Sequence, residues 1–240
     1  MYQDKSFLAI IPARSGSKGL SNKNIKKLCG LPLIAWSIKA GLKSKYIDKV
    51  VVTTDSQEYA EIAKSYGAEA PFLRPKELSL DTSTTFDSIK HTIDFYKNQL
   101  NQTFDYIVLL EPTSPLRETS DIDNAIEALF ANQKANSIVG ISKCESQNPA
   151  FLVKLQSLSQ LIEGYINKGF TPIRRQDIEE LFFFEGTIYI SETDSLLKNQ
   201  NFYHKDTMGY VVPKWKSLEV DDEDDFLMVE AMMKKYIIKE

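Results

Sequence analysis

Cysteine and histidine are scarce in this chain of 240 residues, which holds two of each. Cys29 and Cys144 are far apart in sequence and show no metal-ligand or redox spacing, which excludes a disulfide framework or a zinc ribbon and fits a reduced, cytoplasmic protein. His91 falls inside a helical pattern and His204 in a polar stretch, neither beside a serine or cysteine motif, so a Ser-His-Asp mechanism has no support. Long apolar runs are also missing. The first, residues 7–13, contains Pro12 and runs into Arg14, which makes it too short to span a bilayer and unlike a secretory signal. Without secretion the sequon Asn101-Gln102-Thr103 carries no meaning.

An excess of positive charge is absent as well. Lys and Arg number 29 against 33 Asp and Glu, for a net charge of −4, which argues against a nucleic-acid binder, because such proteins neutralise phosphates with a basic surface. The charge is unevenly placed: residues 1–30 carry a net +5 and the remainder −9. A small anionic ligand near the N-terminus suits that distribution better than a polyanion. With 42% hydrophobic and 26% charged residues, the chain has the composition and length of one large soluble domain or one domain with a smaller lobe.

Short β-branched runs at 7–12, 50–54, 106–110, 137–141 and 187–191 read as buried strands. Helical periodicity separates the early ones, at 33–43, 57–66, then Phe86, Ile89, Ile93, Tyr96 and Leu100, and again Ile122, Ala125, Ile126, Leu129 and Phe130. Ser120 with Asp123 has the form of a capping box opening the last of these. The alternation predicts an α/β fold, a mostly parallel Rossmann-like sheet with helices on both faces. Ligands in such sheets sit at the carboxyl ends of the strands, which singles out residues 13–24, Asp55 and residues 111–117. From about 144 to 181 the alternation weakens, the mark of a small inserted lobe or arm within a single domain spanning 1–240.

Residues 13–20, Ala-Arg-Ser-Gly-Ser-Lys-Gly-Leu, follow the first strand, with Lys23 and Asn24 beyond. Glycines allow a tight turn that presents N–H groups, and Arg14, Lys18 and Lys23 supply charge, so the loop reads as an anion cradle. It matches neither the P-loop nor GxGxxG, and its plain alternative is a solvated basic loop. Near the other end, Glu219-Val220-Asp221 alternates acid, apolar, acid; on a strand, both carboxylates would share a face suited to a hard divalent ion while Val220 is buried. Asp222 to Asp225 fit the first turn of a following helix. Residues 110–117, Leu-Glu-Pro-Thr-Ser-Pro-Leu-Arg, form a proline-stiffened loop directly after a strand. Residues 81–85 read either as a ligand loop or as a helix N-cap run, and residues 181–184 as strand core or as an aromatic wall for a sugar.

Taken in order, Ala13-Arg14-x-x-Ser17-Lys18-Gly19-Leu20, Lys23-Asn24, Arg74-Pro75 with Asp81-Thr82, residues 112–117, Arg174-Arg175-Gln176 and Glu219-x-Asp221 resemble the acylneuraminate cytidylyltransferase family, the CMP-sialic acid synthetases. The resemblance runs through nearly the whole chain. It implies transfer of CMP from CTP to the anomeric hydroxyl of a nonulosonic acid, with magnesium, in a homodimer whose arm, here about 144–181, helps close the neighbour's site. By motif, Arg14, Ser17, Lys18, Lys23 and Asn24 would hold the triphosphate, with Arg14, Lys18 and Asp221 in catalytic roles. Arg74, Ser83 and Thr85 would surround cytosine and ribose, Arg175 would face the sugar-acid carboxylate, and Glu219 with Asp221 would take the metal.

The chain departs from that pattern at four places. Glu111 stands where a Gln usually precedes Pro-Thr-Ser-Pro and, when ionised, accepts but cannot donate, which affects recognition of ribose or sugar. Glu219 replaces the first Asp of the metal pair. Phe151 lies where a Lys is usual, and Phe183 and Glu185 replace an Arg and an Asn on the expected sugar side. A related acceptor such as legionaminic acid is therefore an alternative reading, and a nucleotide-binding regulatory protein without turnover is another, disfavoured by the presence of both carboxylates.

Overall fold

Residues Phe7–Pro12 form β1, with Phe7, Ala9 and Ile11 facing one side and Leu8 and Ile10 the other, all fully buried. A strand covered on both faces needs such a continuous apolar run, and each buried large side chain contributes about 1.5–3 kcal/mol. The structure, a computed structural model, describes residues 1–16, 19–80, 82–145, 148–157, 159–166, 174 and 177–238. After β1 come a 3-10 turn at Lys23–Ile25 and a small hairpin of β2 (Lys27–Leu28) and β3 (Leu31–Pro32). Then follow α1 (Leu33–Lys43), β4 (Lys49–Thr53), α2 (Gln57–Ser65), α3 (Thr85–Gln99), β5 (Tyr106–Leu109), α4 (Thr119–Ala131) and β6 (Ser137–Lys143). The last part holds a hairpin of β7 (Val153–Leu155) and β8 (Ile162–Gly164), then β9 (Phe182–Glu192), α5 (Thr193–Asn199), β10 (Thr207–Val212) and α6 (Glu223–Tyr236).

The main sheet has the order β10-β6-β9-β5-β1-β4. Five strands run one way, and β9 runs against both its neighbours. Helices α1, α2 and α4 pack on the face carrying Phe7, Val50, Val52 and Val108, whereas α3 and α5 cover Leu8, Ile10, Val51 and Ile107. The α/β sheet with helices on both faces is thus as the alternation predicts. A third apolar cluster joins α6, through Phe226, Val229 and Met233, to Leu28, Leu116 and Val220.

Several local expectations fail for identifiable reasons. The cap of α4 is Glu118 with Asp121, not Ser120 with Asp123; Lys216 grips both Glu118 and Asp121, and Asp123 instead accepts from Ser44 Oγ at 2.6 Å. Residues 219–221 are not a strand. They form a loop pinned by Val220 N–H donating to Thr113 O at 2.8 Å, so the alternation survives only in the burial of Val220. Residues 181–184 are not core: Phe182 and Phe184 are 40% and 63% exposed, because β9 extends past the helices that cover its centre. The segment 81–85 does hold a helix cap, Thr84 with Asp87 in a capping box for α3.

Candidate active site

The register Pro12↔Thr53 ends β1 and β4 at one level, and β5 ends two residues earlier at Ile10↔Leu109, so the loops that follow them meet above the sheet's carboxyl edge. There they enclose a cavity of about 440 Å³. Arg14, Lys23 and Arg74 line it beside Asn24, Ser83, Thr85, Glu111 and Asp221. The basic N-terminal loop and the acidic segment some two hundred residues later therefore share one site.

Hydrogen bonds fix the first loop at both ends. Ser15 donates from its backbone N–H to Asp55 Oδ1 at 2.9 Å and from Oγ to Oδ2 at 2.8 Å, and buried Asn24 donates from Nδ2 to Arg14 O at 3.0 Å. Lys23 Nζ donates to Val220 O at 2.7 Å and Asp221 Oδ1 at 3.1 Å. Its side chain is 13% exposed and that of Asp221 77%, so the ammonium is held while the carboxylate faces outward. Arg74 is buried, and its Nε and Nη2 have no partner among the described residues; burial lowers its pKa, with the charge of Asp55 opposing. Donors buried without acceptors are costly, and an anion entering the cavity would satisfy them. Ser83 Oγ donates to Glu77 O at 2.8 Å, and Thr85 opens α3.

Glu111 joins this space to a second cavity of about 520 Å³, the two sharing Thr84, Thr85 and Glu111. Tyr189, Phe202, Tyr203, Leu109 and Leu196 give the second an aromatic and aliphatic wall, with Asp87, Gln200 and Asn201 beside it. The rings of Tyr189 and Tyr203 meet edge to face with centroids 6.0 Å apart, and the ring of Tyr203 lies tilted against that of Phe184 with centroids 4.3 Å apart.

Beneath the junction lies a knot of buried charge. Glu219 Oε1 accepts from Gly186 N–H at 2.6 Å; a Cβ on Gly186 would stand 2.4 Å from Ser114 Oγ, 2.6 Å from Glu219 Oε1 and 3.1 Å from Glu111 Oε2. Only glycine admits that convergence. Burial first, and then the charge of Glu219, push the Glu111 carboxyl up to about 7 against the pull of Arg117. Glu185 is likewise pushed up to about 7, mainly by burial. Arg117 is fully buried and lowered to about 10. It donates to Ser37 Oγ at 2.9 Å, Glu111 O at 3.0 Å, Gly186 O at 3.3 Å and also Thr187 O, which clamps the 110–117 loop to β9.

Of the residues singled out from the sequence, Arg14, Lys23, Asn24, Arg74, Ser83, Thr85, Glu111 and Asp221 line the first cavity, and Glu219 lies beneath it against Gly186. Ser17, Lys18, Asp81 and Arg175 lie outside the described residues. Phe183 lines neither cavity. Its place in β9 opposite Ser142 is away from the junction, and Tyr189 and Tyr203 supply the aromatic surface instead. A tyrosine in a strand and another in a polar stretch carry no sequence signal for such a role. The sequence points to Asp55 only through its position after a strand. Among the described residues, no group of three or more His, Cys, Asp or Glu is arranged to hold a metal ion.

A mostly parallel α/β sheet with a cation-lined cavity at its carboxyl edge defines a Rossmann-like fold of the kind that takes a nucleotide there. The chain belongs to the cytidylyltransferase family, whose model matches residues 8–208. It is 35% identical over 229 residues to the N-acylneuraminate cytidylyltransferase of Escherichia coli and 37% over 225 residues to that of Streptococcus agalactiae, and it spans about half the length of these relatives, 52%. Against the CMP-N,N'-diacetyllegionaminic acid synthase of Legionella pneumophila it is 35% identical over 235 residues, covering 94% of this chain and 95% of that one. Its fold is similar to that of a CMP:2-keto-3-deoxy-manno-octonic acid synthetase solved with CTP, at a TM-score of 0.70 and 16% identity, covering 97% of this chain and all of that one.

Proposed function

We propose that this chain transfers CMP from CTP to the anomeric hydroxyl of a nonulosonic acid of the N-acylneuraminate type and releases pyrophosphate. One observation carries the reading: a cation-lined cavity and an aromatic-walled cavity adjoin, with Glu111, Thr84 and Thr85 lining both. A triphosphate suits the first and a sugar acid with acylamino groups the second, so the acceptor oxygen and the α-phosphorus meet at the junction. The new bond joins that oxygen to the α-phosphorus as its hydroxyl proton passes to solvent, the bond to the bridging oxygen breaks, and pyrophosphate carries the electron pair away. Such a transfer depends on positioning and charge stabilisation. Arg14, Lys18 and Lys23 spread the developing charge, Ser17 and Asn24 complete the phosphate loop, and Arg74, Ser83 and Thr85 hold cytosine and ribose. Arg175 takes the sugar carboxylate. Glu111 faces both substrates.

Magnesium fits the acidic end of the site. Glu219 and Asp221 offer hard oxygen donors, and burial together with the neighbouring charge of Asp221 raises the Glu219 carboxyl, a tension that a cation relieves. Bound there, magnesium would neutralise triphosphate charge. The arm at about 144–181 is assigned to a homodimer: Leu152, Val153, Leu155, Leu161, Ile162 and Ile166 are each at least 43% exposed, an apolar display that a second copy would cover. No helix among the described residues is long and apolar enough to cross a membrane, and neither cysteine is bridged, which accords with a cytoplasmic protein.

A second acceptor, legionaminic acid, has support from the aromatic and aliphatic wall of the second cavity and from the match to the Legionella synthase across both chains. A pyrophosphate-release assay crossing four nucleotides with neuraminic, legionaminic and pseudaminic acids decides between them. Turnover confined to CTP with one such acid is expected; no release with any pair overturns the proposal.

A further inference from the structure

We infer that Asp55 is a positioning residue for the nucleotide loop, acting through Ser15 and Arg74; the inference rests on the assignment of the first cavity to a nucleotide triphosphate. Parallel pairing of Pro12 with Thr53 leaves residues 13–16 and 54–56 side by side as they depart the sheet. Ala13 N–H still donates to Thr53 O at 3.0 Å, and two residues later the strand pairing is replaced by a side-chain clasp. Both acceptor oxygens of Asp55 are used on a single residue, the amide at 2.9 Å and the hydroxyl of Ser15 at 2.8 Å. One carboxylate holding both donors of one residue fixes its backbone direction as well as its position. The loop therefore enters the stretch containing Ser17 and Lys18 from a rigid anchor.

Asp55 also faces the cationic wall. Arg74, whose backbone N–H donates to Thr54 O at 2.7 Å, also feels the like charge of Arg14; the Asp55 charge opposes both that repulsion and the burial of the guanidinium. The same carboxylate thus orders the loop and offsets the repulsion between Arg74 and Arg14. Asp55 is not among the residues lining the cavity, so it shapes affinity without touching the nucleotide.

The test uses the full chain and compares wild type with Asp55→Ala, Asp55→Asn and Ser15→Ala. Backbone amide exchange at residues 13–16, measured without ligand, is expected to quicken by about 10-fold in Asp55→Ala, the scale of losing one charge-assisted hydrogen bond. CTP affinity by calorimetry and KM for CTP should weaken by about 10-fold in Asp55→Ala. KM for the acceptor should stay within about 2-fold and kcat fall less than KM rises, a split that general destabilisation does not produce. Asp55→Asn and Ser15→Ala, which each leave one hydrogen bond, should fall between, so misfolding of the alanine variant leaves two others to judge. In the Ser15→Ala background, adding Asp55→Ala should cost less than it does alone. Wild-type binding of CTP with unchanged affinity in all three variants overturns the inference and leaves the nucleotide assignment standing. A wild type that binds no CTP overturns both.

Discussion

Gly19 and Asp221 touch across the whole length of the chain: a Cβ on residue 19 would stand 2.5 Å from the carbonyl oxygen of Asp221. Backbone, not a flexible side chain, occupies that space, so the basic loop and the acidic segment close on each other only because residue 19 has no side chain. Gly19→Ala should force them apart, raising KM for CTP by about 10-fold through lost positioning. Steady-state kinetics that leave KM unchanged would show the seam to be irrelevant to the nucleotide.

Lys18→Ala and Asp221→Ala should each lower pyrophosphate release with CTP and magnesium by about 100-fold or more, the scale of removing one electrostatic group from a transition state. Circular dichroism should stay native. Near-normal turnover in either variant removes its assigned role.

Lys216 is buried with its ammonium 2.9 and 2.7 Å from the oxygens of Asp121 and also pairs with Glu118 at 2.7 Å. It ties the approach to residues 219–221 onto the start of α4. Lys216→Met leaves Asp121 buried without its partner, a loss of about 3–5 kcal/mol, which a urea denaturation series would measure as a lower midpoint.

Tyr203→Ala should raise KM for the acceptor by about 10-fold while KM for CTP moves less than about 2-fold, since its ring lines only the second cavity. Equal effects on both substrates would mean that the cavities are not divided between them.

The buried Glu185 carboxyl, raised to about 7, sets a pH dependence. The folded state holds this proton more tightly than the unfolded chain, so the group's contribution is fully present below its ordinary carboxylate range and is lost as pH rises through about 7. Thermal unfolding of Glu185→Gln should therefore decline less between pH 5 and 8 than wild type, a difference on the order of 1–3 kcal/mol. Parallel curves would refute it.

The sequence made the sheet and its ligand edge legible because β1, β4 and β5 are buried on both faces and read as unbroken apolar runs. Arg14, Lys23 and Asp221 were legible as charge concentrated at strand ends. The reversed β9 was not, since a central antiparallel strand has the same apolar run as a parallel one. Nor was β10, whose Gly209 and alternating exposure dilute the pattern. The carboxylate knot at Gly186 depends on strand β9 meeting two separate loops, 110–117 and 219–221, which no local spacing encodes. Ser120 with Asp123 satisfied the capping pattern equally well, and tertiary contacts chose Glu118 and Asp121.

Because β9 runs backwards, the arm leaves and rejoins the sheet at one rung: Lys143 is paired with Phe182, and Cys144 N–H donates to Leu181 O at 2.8 Å. The excursion is closed at its own base like the loop of an oversized hairpin. Residues added to or deleted from it leave every downstream register untouched, and each extra length costs only a slowly growing closure entropy. The reversed strand thus makes the protruding segment an interchangeable module, free to diversify in contour and chemistry while the nucleotide-facing edge stays as it is.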